Sequence, residues 1–347
     1  MIKRFFSFVP FLAVCCLVSC AGVLFPEYVV WNDTAEFRRE NHRELVKQTG
    51  QDFKILQLSD THIGSYIKYD FNGVRETFNM ISEDVRSTQP DLIILAGDNI
   101  ISSGPINTLW AERLTAFLDS LAIPYIIVMG NHDGAGLFDV RNDNRRLAVA
   151  DVFTAGKYSL FSRGPDNIGG TGNYGVNIVS AGGGILYSII VLDNAGENEY
   201  FSAGQIKWYE WYVKGISKAQ YGAYAPPGQV VKSMAAFHVP LPETINLRDE
   251  MMASSDPDIR DLAAGCFREY PSLAKNTGMF QKMKDLGSTI HLLFAHDHAN
   301  LLNYPYQGIY FIYGVKTGPN EANGNRLGTT LITLKDDLTV TVDFLIH

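Results

Sequence analysis

The sequence predicts a mixed α/β fold, and three observations predict it. Short apolar runs at 53–58, 92–96 and 125–129 alternate with amphipathic helical stretches, which implies right-handed crossovers and a parallel sheet. Between residues 158 and 192 the apolar runs are separated by Gly-rich turns such as Gly182-Gly183-Gly184, which implies antiparallel pairing. Five apolar runs also end alike, in Asp, Asn or His: Ser59-Asp60-Thr61-His62, Gly97-Asp98-Asn99, Gly130-Asn131-His132-Asp133, Ala236-Phe237-His238 and Ala295-His296-Asp297-His298. In sheets of this kind, sites form beyond the carboxyl ends of the strands.

The N-terminus reads as a processing signal. Lys3 and Arg4 precede an apolar stretch over 5–18, too short for a comfortable transmembrane helix. Its end, Leu17-Val18-Ser19-Cys20, resembles the lipobox of bacterial lipoproteins. That resemblance implies cleavage after Ser19, lipidation of Cys20, and a place in the bacterial cell envelope, facing the periplasm or the exterior. Residues 1–19 are thus expected to be a signal peptide, 20–50 a tether and approach segment, and 51–347 one domain. Cys15, Cys16 and Cys20 fall in the N-terminal segment, leaving Cys266 without a partner for an internal disulfide.

The approach segment carries turns at Phe25-Pro26 and Asn32-Asp33 and a short charged helix over 36–46, with His42 on its solvated surface. A first strand over 53–58 leads to a helix in which Val74, Phe78, Ile81 and Val85 recur on one apolar face. Gln89-Pro90-Asp91 ends that helix before the strand at 92–96. A second helix presents Trp110, Leu114, Phe117 and Leu121, and Ile123-Pro124 breaks it before 125–129. Residues 135–155 read as a charged helix with Arg141, Arg145 and Arg146 on a solvated face.

Strands are expected at 158–161, 174–179 and 185–192, with Asp193-Asn194 serving structure or a pocket edge. Ser202-Ala203-Gly204-Gln205 has the form of a capping box, opening a helix whose Trp208 and Trp211 pack. A strand ends at His238. Residues 240–278, with Pro242, Pro257 and Pro271, read as a long irregular connection that walls a pocket. A short helix at 279–286, a strand at 290–294 containing a core His291, and strands at 309–313, 329–334 and 339–345 complete the chain. Lys335-Asp336-Asp337 joins the last two as a hairpin.

With 347 residues, 46% hydrophobic and 19% charged, the chain can bury a sizeable core. A net charge of −8 argues against a nucleic-acid-binding surface, which needs a basic face. It leaves a phosphorylated small molecule open as substrate, because bound cations would be the largest local charges. Of eight histidines, His62, His132, His238, His296 and His298 stand at strand ends beside Asp60, Asp98 and Asn131. Carboxylates and neutral imidazoles at one sheet edge are the donors of a metal centre.

Asp60-x-His62, Gly97-Asp98, Gly130-Asn131-His132-Asp133, His238 and His296-x-His298, in that order, resemble the calcineurin-like metallophosphoesterase superfamily. Flanking text such as Phe237-His238-Val239-Pro240 and Tyr313-Gly314 resembles its single-domain branch related to purple acid phosphatases. The resemblance implies a four-layer α-β-β-α sandwich with two metal ions (Fe, Zn or Mn) at one edge. Asp60, His62, Asp98 and His298 would hold one ion, and Asp98, Asn131, His238 and His296 the other. A metal-bridging hydroxide would attack a phosphate ester, a monoester in the favoured reading and a diester or nucleotide pyrophosphate in the alternative. His132 would face the substrate and help protonate the leaving group, with Asp133 orienting its ring. The same fold could also serve as a non-catalytic binding module. Ile101 stands where purple acid phosphatases carry a tyrosine ligand, and Ala295 where many members have Gly.

Overall fold

The fold is described from a computed structural model covering residues 30–64, 71–101, 106–135, 143–195, 200–321 and 326–347. The expected signal peptide, Cys20, the turn at Phe25-Pro26 and Arg141 lie outside the described residues.

Two sheets pack face to face. The first half of the domain supplies β2 (Phe53–Leu58), β3 (Leu92–Ala96) and β4 (Tyr125–Val128), which pair in parallel. Strands β11 (Gly328–Leu334) and β12 (Val340–Ile346) form the predicted hairpin and add antiparallel to β2, giving the order β12-β11-β2-β3-β4. The second sheet is built from β1 (Arg43–Lys47), β5 (Tyr174–Ser180), β6 (Ile185–Val191), β7 (Ser233–Ala236), β8 (Thr289–Phe294), β9 (Leu302–Tyr306) and β10 (Ile309–Tyr313). Its order is β1-β5-β6-β7-β8-β10-β9. Strands β3 and β4 are buried along their whole length, as central strands covered on both faces must be.

Helices α1 (Phe71–Thr88), α2 (Asn107–Ser120) and α3 (Asp143–Ala155) cover the five-stranded sheet. Phe78 of α1 stacks on Phe117 of α2 with ring centroids 3.9 Å apart. Helix α4 (Ala203–Tyr221) covers the other sheet together with α5 (Glu243–Met252), α6 (Pro257–Cys266) and α7 (Met279–Leu286). Between the sheets, Leu56, Leu58 and Ile94 share one core with Val176, Ile189 and Leu293. The outer core joins Ile190, Phe237 and Phe294 to Trp208 and Tyr212 of α4. These are the four layers of an α-β-β-α sandwich. The capping box of α4 is present: Ser202 Oγ accepts from Gln205 N at 3.0 Å, and Gln205 Oε1 from Ser202 N at 2.8 Å. Among the described residues, no helix is long and apolar enough to cross a membrane.

Four expectations are corrected. Residues 36–46 form a short 3₁₀ turn, Arg39–Asn41, followed by β1. The charge of Arg43-Glu44-Leu45-Val46-Lys47 belongs to an edge strand, where charged side chains are normal, and Leu45 is in register with Ile178. The approach segment therefore contributes a strand to the sheet. His42 stacks on Phe37 at 4.8 Å and meets Tyr212 edge-on at 4.9 Å, and burial pulls its pKa down to about 4. Residues 158–161 make only a single bridge, Ser159 to Tyr125. The stretch 240–278 holds two helices: Asp256 caps α6 by accepting from Asp258 N at 2.9 Å, so Pro257 occupies the first helical position, where a proline starts a helix. Strand β9 escaped prediction because Pro305 lies within it, and it is an edge strand, where proline is tolerated. His291 is a core residue, with Nδ1 2.8 Å from Tyr187 Oη.

Candidate metal centre

All five polar strand ends converge on one edge of the sandwich. Strands β2, β3 and β4 bring Asp60 and His62, Asp98, and Asn131 and His132 from one sheet. Strands β7 and β8 bring His238, and His296 and His298, from the other. Two groups of ligand atoms each lie within 4.8 Å of one another: Asp60, His62 and His298, and Asp98, His238 and His296. A third group of the same kind joins His62, Asp98 and His132.

Asp98 is the hub. Its Oδ2 lies 3.2 Å from His238 Nε2, 3.4 Å from His62 Nε2 and 3.7 Å from His132 Nε2. Its Oδ1 accepts the His132 backbone N–H at 2.8 Å. Asn131 Oδ1 stands 3.1 Å from both His238 Nε2 and His296 Nδ1. Asp60 Oδ1 is 3.9 Å from His298 Nε2 and 4.0 Å from His238 Nε2. Two histidines have their tautomer set from behind. His238 Nδ1 donates to Ala96 O at 2.9 Å and His298 Nδ1 to Glu321 O at 3.0 Å, which aims each Nε2 into the site.

The backbone is strained where the donors sit. Asp60, His62, Asp98 and His296 have φ of 48°, 44°, 48° and 78°, the left-handed region that costs a non-glycine residue about 1–3 kcal/mol. Strain of this kind persists only where the surroundings over-determine it. Here the strand ends tie to one another: Asp60 N donates to Gly97 O, His62 N to Asp98 O and Ile63 N to Asn99 O.

Two glycines make room. Gly97 has φ 97°, and a Cβ there would overlap the His238 ring. Gly130 has no positive φ; it is needed for close approach, because a Cβ there would overlap the backbone N and Oδ1 of Asp98. Gly97→Ala should cost at least ~2 kcal/mol, from the left-handed backbone and the collision with His238. Chemical denaturation checks this, and an unchanged midpoint would contradict it.

The electrostatics separate the donors. Burial, helped by Lys316, holds His298 at about 3 and His62 well below the usual imidazole range, so both present neutral, metal-competent rings. Burial alone would lower His238, but Asp98 and Asp60 outweigh it and raise it to about 10. Burial pushes Asp60 up to about 7 against the pull of His238 and Lys316. Burial also opposes charge on Asp98, yet His238 and His132 hold its carboxyl well below the usual range. Buried carboxylates ringed by imidazole nitrogens, with no sulfur donor among the described residues, fit cations of the Zn, Fe or Mn type once His238 gives up its proton. His132 and His298 have side chains 18% and 20% exposed, against 1% for His62 and 0% for His238, so the site opens on their side.

Asp133 does not take the place expected for it. Its Oδ1 accepts the N–H groups of Asn99 and Ile100, each at 3.0 Å, and its Oδ2 accepts Gly130 N at 2.8 Å and Asn99 Nδ2 at 2.6 Å. All four bonds brace the β3 and β4 loops, so Asp133 positions the turn that carries His132 rather than the His132 ring. Burial and the nearby Asp98 charge push it up to about 6.

Arg146, expected on a solvated face, is 4% exposed. It donates to Gly130 O at 2.6 Å, Asp133 O at 3.1 Å and Asp193 Oδ1 at 2.7 Å. Sequence reasoning also missed Lys316, 1% exposed, whose Nζ donates to Asp60 O at 2.8 Å. The available signal was a lysine just beyond the apolar run 309–313, at the same sheet edge as the ligands. Burial draws Lys316 down to about 8, while Asp60 and Asp98 resist.

Two ligand groups meeting at one carboxylate, on the edge of a four-layer sandwich, define a metallophosphoesterase fold. The sequence profile of calcineurin-like phosphoesterases matches residues 53–300, and the chain belongs to that family. It is 26% identical over 302 residues to the protein named probable inactive purple acid phosphatase 29 of Arabidopsis thaliana, covering 78% of this chain and 73% of that one. It is 27% identical over 271 residues to phosphatase DCR2 of Saccharomyces cerevisiae, covering 72% of this chain and 44% of that one. A dimetal phosphatase from Danio rerio shares the fold with a TM-score of 0.51 at 13% identity, over 85% of this chain and 96% of that one. Purple acid phosphatase PPD1 from yellow lupin does so with a TM-score of 0.50 at 12% identity, over 85% and 51%.

Proposed function

We propose that this chain hydrolyses phosphate esters, monoesters in preference to diesters, at a centre of two metal ions that share Asp98. The observation that carries this reading is the geometry of Asp98, whose one carboxylate faces imidazoles of both ligand groups while the more open His132 stands beside it. Asp60, His62 and His298 would hold one ion, Asn131, His238 and His296 the other. When bound, the ions supply Lewis-acid polarisation of the phosphoryl oxygens and a lowered pKa for water.

The chain's own residues do the rest. Asp98 fixes the His132 backbone through the 2.8 Å bond to its N–H. The Asp133 and Arg146 contacts hold the turn, so that the His132 ring has a defined place at the mouth. From there Nε2 can donate to a phosphoryl oxygen and pass a proton to the leaving-group oxygen. His132→Ala should keep both ions and lose turnover by roughly 10²–10⁴-fold, the range for a positioned acid–base group. Full turnover in that variant would remove His132 from the mechanism.

The phosphatase names of the relatives support the monoester preference. A second reading is a non-catalytic binding module, which the word inactive in the name of the Arabidopsis relative favours; the complete ligand set and His132 favour an enzyme. A panel of aryl phosphate, bis-aryl phosphate and nucleotides, assayed with Mn, Zn or Fe and with metal content measured in the same sample, separates them. Hydrolysis with a monoester preference supports the enzyme, and two bound ions without any hydrolysis supports the module. We also propose that Cys20 carries a lipid that holds the protein in the bacterial envelope, on the strength of Leu17-Val18-Ser19-Cys20. Cys20→Ser should then release the protein from membranes, and unchanged membrane partition would contradict lipidation.

A further inference from the structure

We propose that Arg268 and Arg326 form an anion subsite beside the metal centre, so that the preferred substrate is a phosphomonoester carrying a second phosphate group. This rests on the phosphomonoesterase reading above and names the substrate class of that same site. Residues 266–272 run from the end of α6 past the loop that carries His298, and five hydrogen bonds stitch the two together. Leu301 N donates to Cys266 O at 3.0 Å, Glu269 N to Asn300 Oδ1 at 3.0 Å and Ala299 N to Glu269 Oε1 at 2.5 Å. Ser272 N and Oγ donate to the Asp297 carboxylate at 3.0 and 2.5 Å. Arg268 stands within this stitched stretch and is exposed. Arg326, half-buried ahead of β11, reaches the same loop from the other side. Its Nη2 donates to Ala299 O at 3.1 Å, one residue beyond His298.

Neither guanidinium is neutralised by a carboxylate. Among the described residues Arg268 makes no hydrogen bond or ion pair, and Arg326 makes only the bond to Ala299 O. Burial, and after it the charge of Arg268, pull the Arg326 guanidinium below its usual value, so the two like charges are near enough to repel. The nearby acids are engaged elsewhere: Glu269 Oε1 is taken by Ala299 N, and the Asp297 carboxylate accepts from Ser272 and Tyr313. In a chain of net charge −8, two neighbouring unpaired guanidiniums are a place for an anion, and their forks match phosphate oxygens in pairs. The place is also tied to the chemistry, because the centre opens on the side of His132 and His298. One substrate could then hold a phosphoryl group at the centre and a second on the arginines. Water would add to the phosphorus at the centre and the P–O bond to the alcohol would break. The alcohol oxygen would take its proton from His132, and the second phosphate would leave on the alcohol unchanged.

The test compares α,ω-alkanediol bisphosphates of three to six carbons with alkyl monophosphates of the same lengths, on the full chain purified in detergent and loaded with Mn²⁺. The best bisphosphate should exceed its monophosphate in kcat/KM by about tenfold or more, chiefly through KM, as expected for added bonds between charged groups. Arg268→Gln should cut that ratio by about tenfold, and it has no contact in the fold to lose. Arg326→Gln, whose amide can still donate to Ala299 O, should cut it as well. A readout free of turnover is calorimetric titration of the chelator-stripped full chain with butane-1,4-bisphosphonate. Wild type should bind it about tenfold more tightly than Arg268→Gln does. A wild-type ratio near one, or a ratio and a bisphosphonate affinity that Arg268→Gln leaves unmoved, would overturn the proposal. Hydrolysis of neither class of ester overturns the phosphomonoesterase reading itself, whereas hydrolysis of both at equal kcat/KM overturns only this inference.

Discussion

Asp98→Asn should empty the centre and abolish hydrolysis while leaving the sandwich folded. Asp98 Oδ2 stands 3.4 Å from His62 and 3.2 Å from His238, imidazoles of both ligand groups, whereas Asp60 Oδ1 reaches His298 and His238 only at 3.9 and 4.0 Å. Asparagine has nearly the same shape and can still accept the His132 N–H, so the backbone of the turn keeps its bond. What it lacks is the charge that two adjacent cations need between them. Changes to groups that merely support ligands cost metal affinity about 10–100-fold, so loss of the shared ligand should exceed ~100-fold. Turnover should fall by on the order of 10³ or more, as when a principal charge-stabilising group is removed. Elemental analysis and an aryl phosphate assay check both. A variant with two ions per chain and normal turnover would mean that the ions do not share Asp98.

Arg146→Met should destabilise the protein by about 3–5 kcal/mol, the usual cost of breaking a buried ion pair by removing one partner. Three acceptors lose their donor at once: the carbonyls of Gly130 and Asp133 and the Asp193 carboxylate, which is itself 1% exposed. Asp193 retains the N–H groups of Thr171 and Ala195, but its charge is left uncompensated. At roughly 2–4 °C per kcal/mol, the midpoint of thermal unfolding should drop by about 6–20 °C. Lysine should rescue little, because a point charge cannot reach three acceptors as a guanidinium fork does. Adding Asp193→Asn to Arg146→Met should recover part of the loss, since the two residues share one interaction. An additive double variant would mean that the pair contributes nothing of its own.

The candidate ligands, as strand ends gathered at one edge, were legible in the sequence because their physics is local. An apolar run long enough for a strand, followed at once by Asp, Asn or His, marks a strand end facing one edge, and five such ends imply convergence. The central parallel strands and the amphipathic helix α1 were legible for the same reason, since periodicity is written in consecutive residues. What escaped depends on contacts made far along the chain. Arg146 and Lys316 carry charges that ordinarily face water, and only packing against Asp193 and Asp60 O turns them inward. The Asp133 carboxylate could have turned toward His132; four N–H donors from two loops claim it instead. Strand β1 was hidden by edge-strand charge, and α6 by a proline that starts a helix in the same residues that would break one.

Two cations sharing Asp98 in a working phosphoesterase would leave a direct spectroscopic signature. X-ray absorption on the metal-loaded full chain tests it most directly, with aryl phosphate turnover followed as metal is added. The expected result is a metal–metal separation of about 3.5–4 Å and turnover that reaches its maximum only as the second equivalent binds. A single ion without a metal neighbour, supporting full turnover at one equivalent, would contradict it.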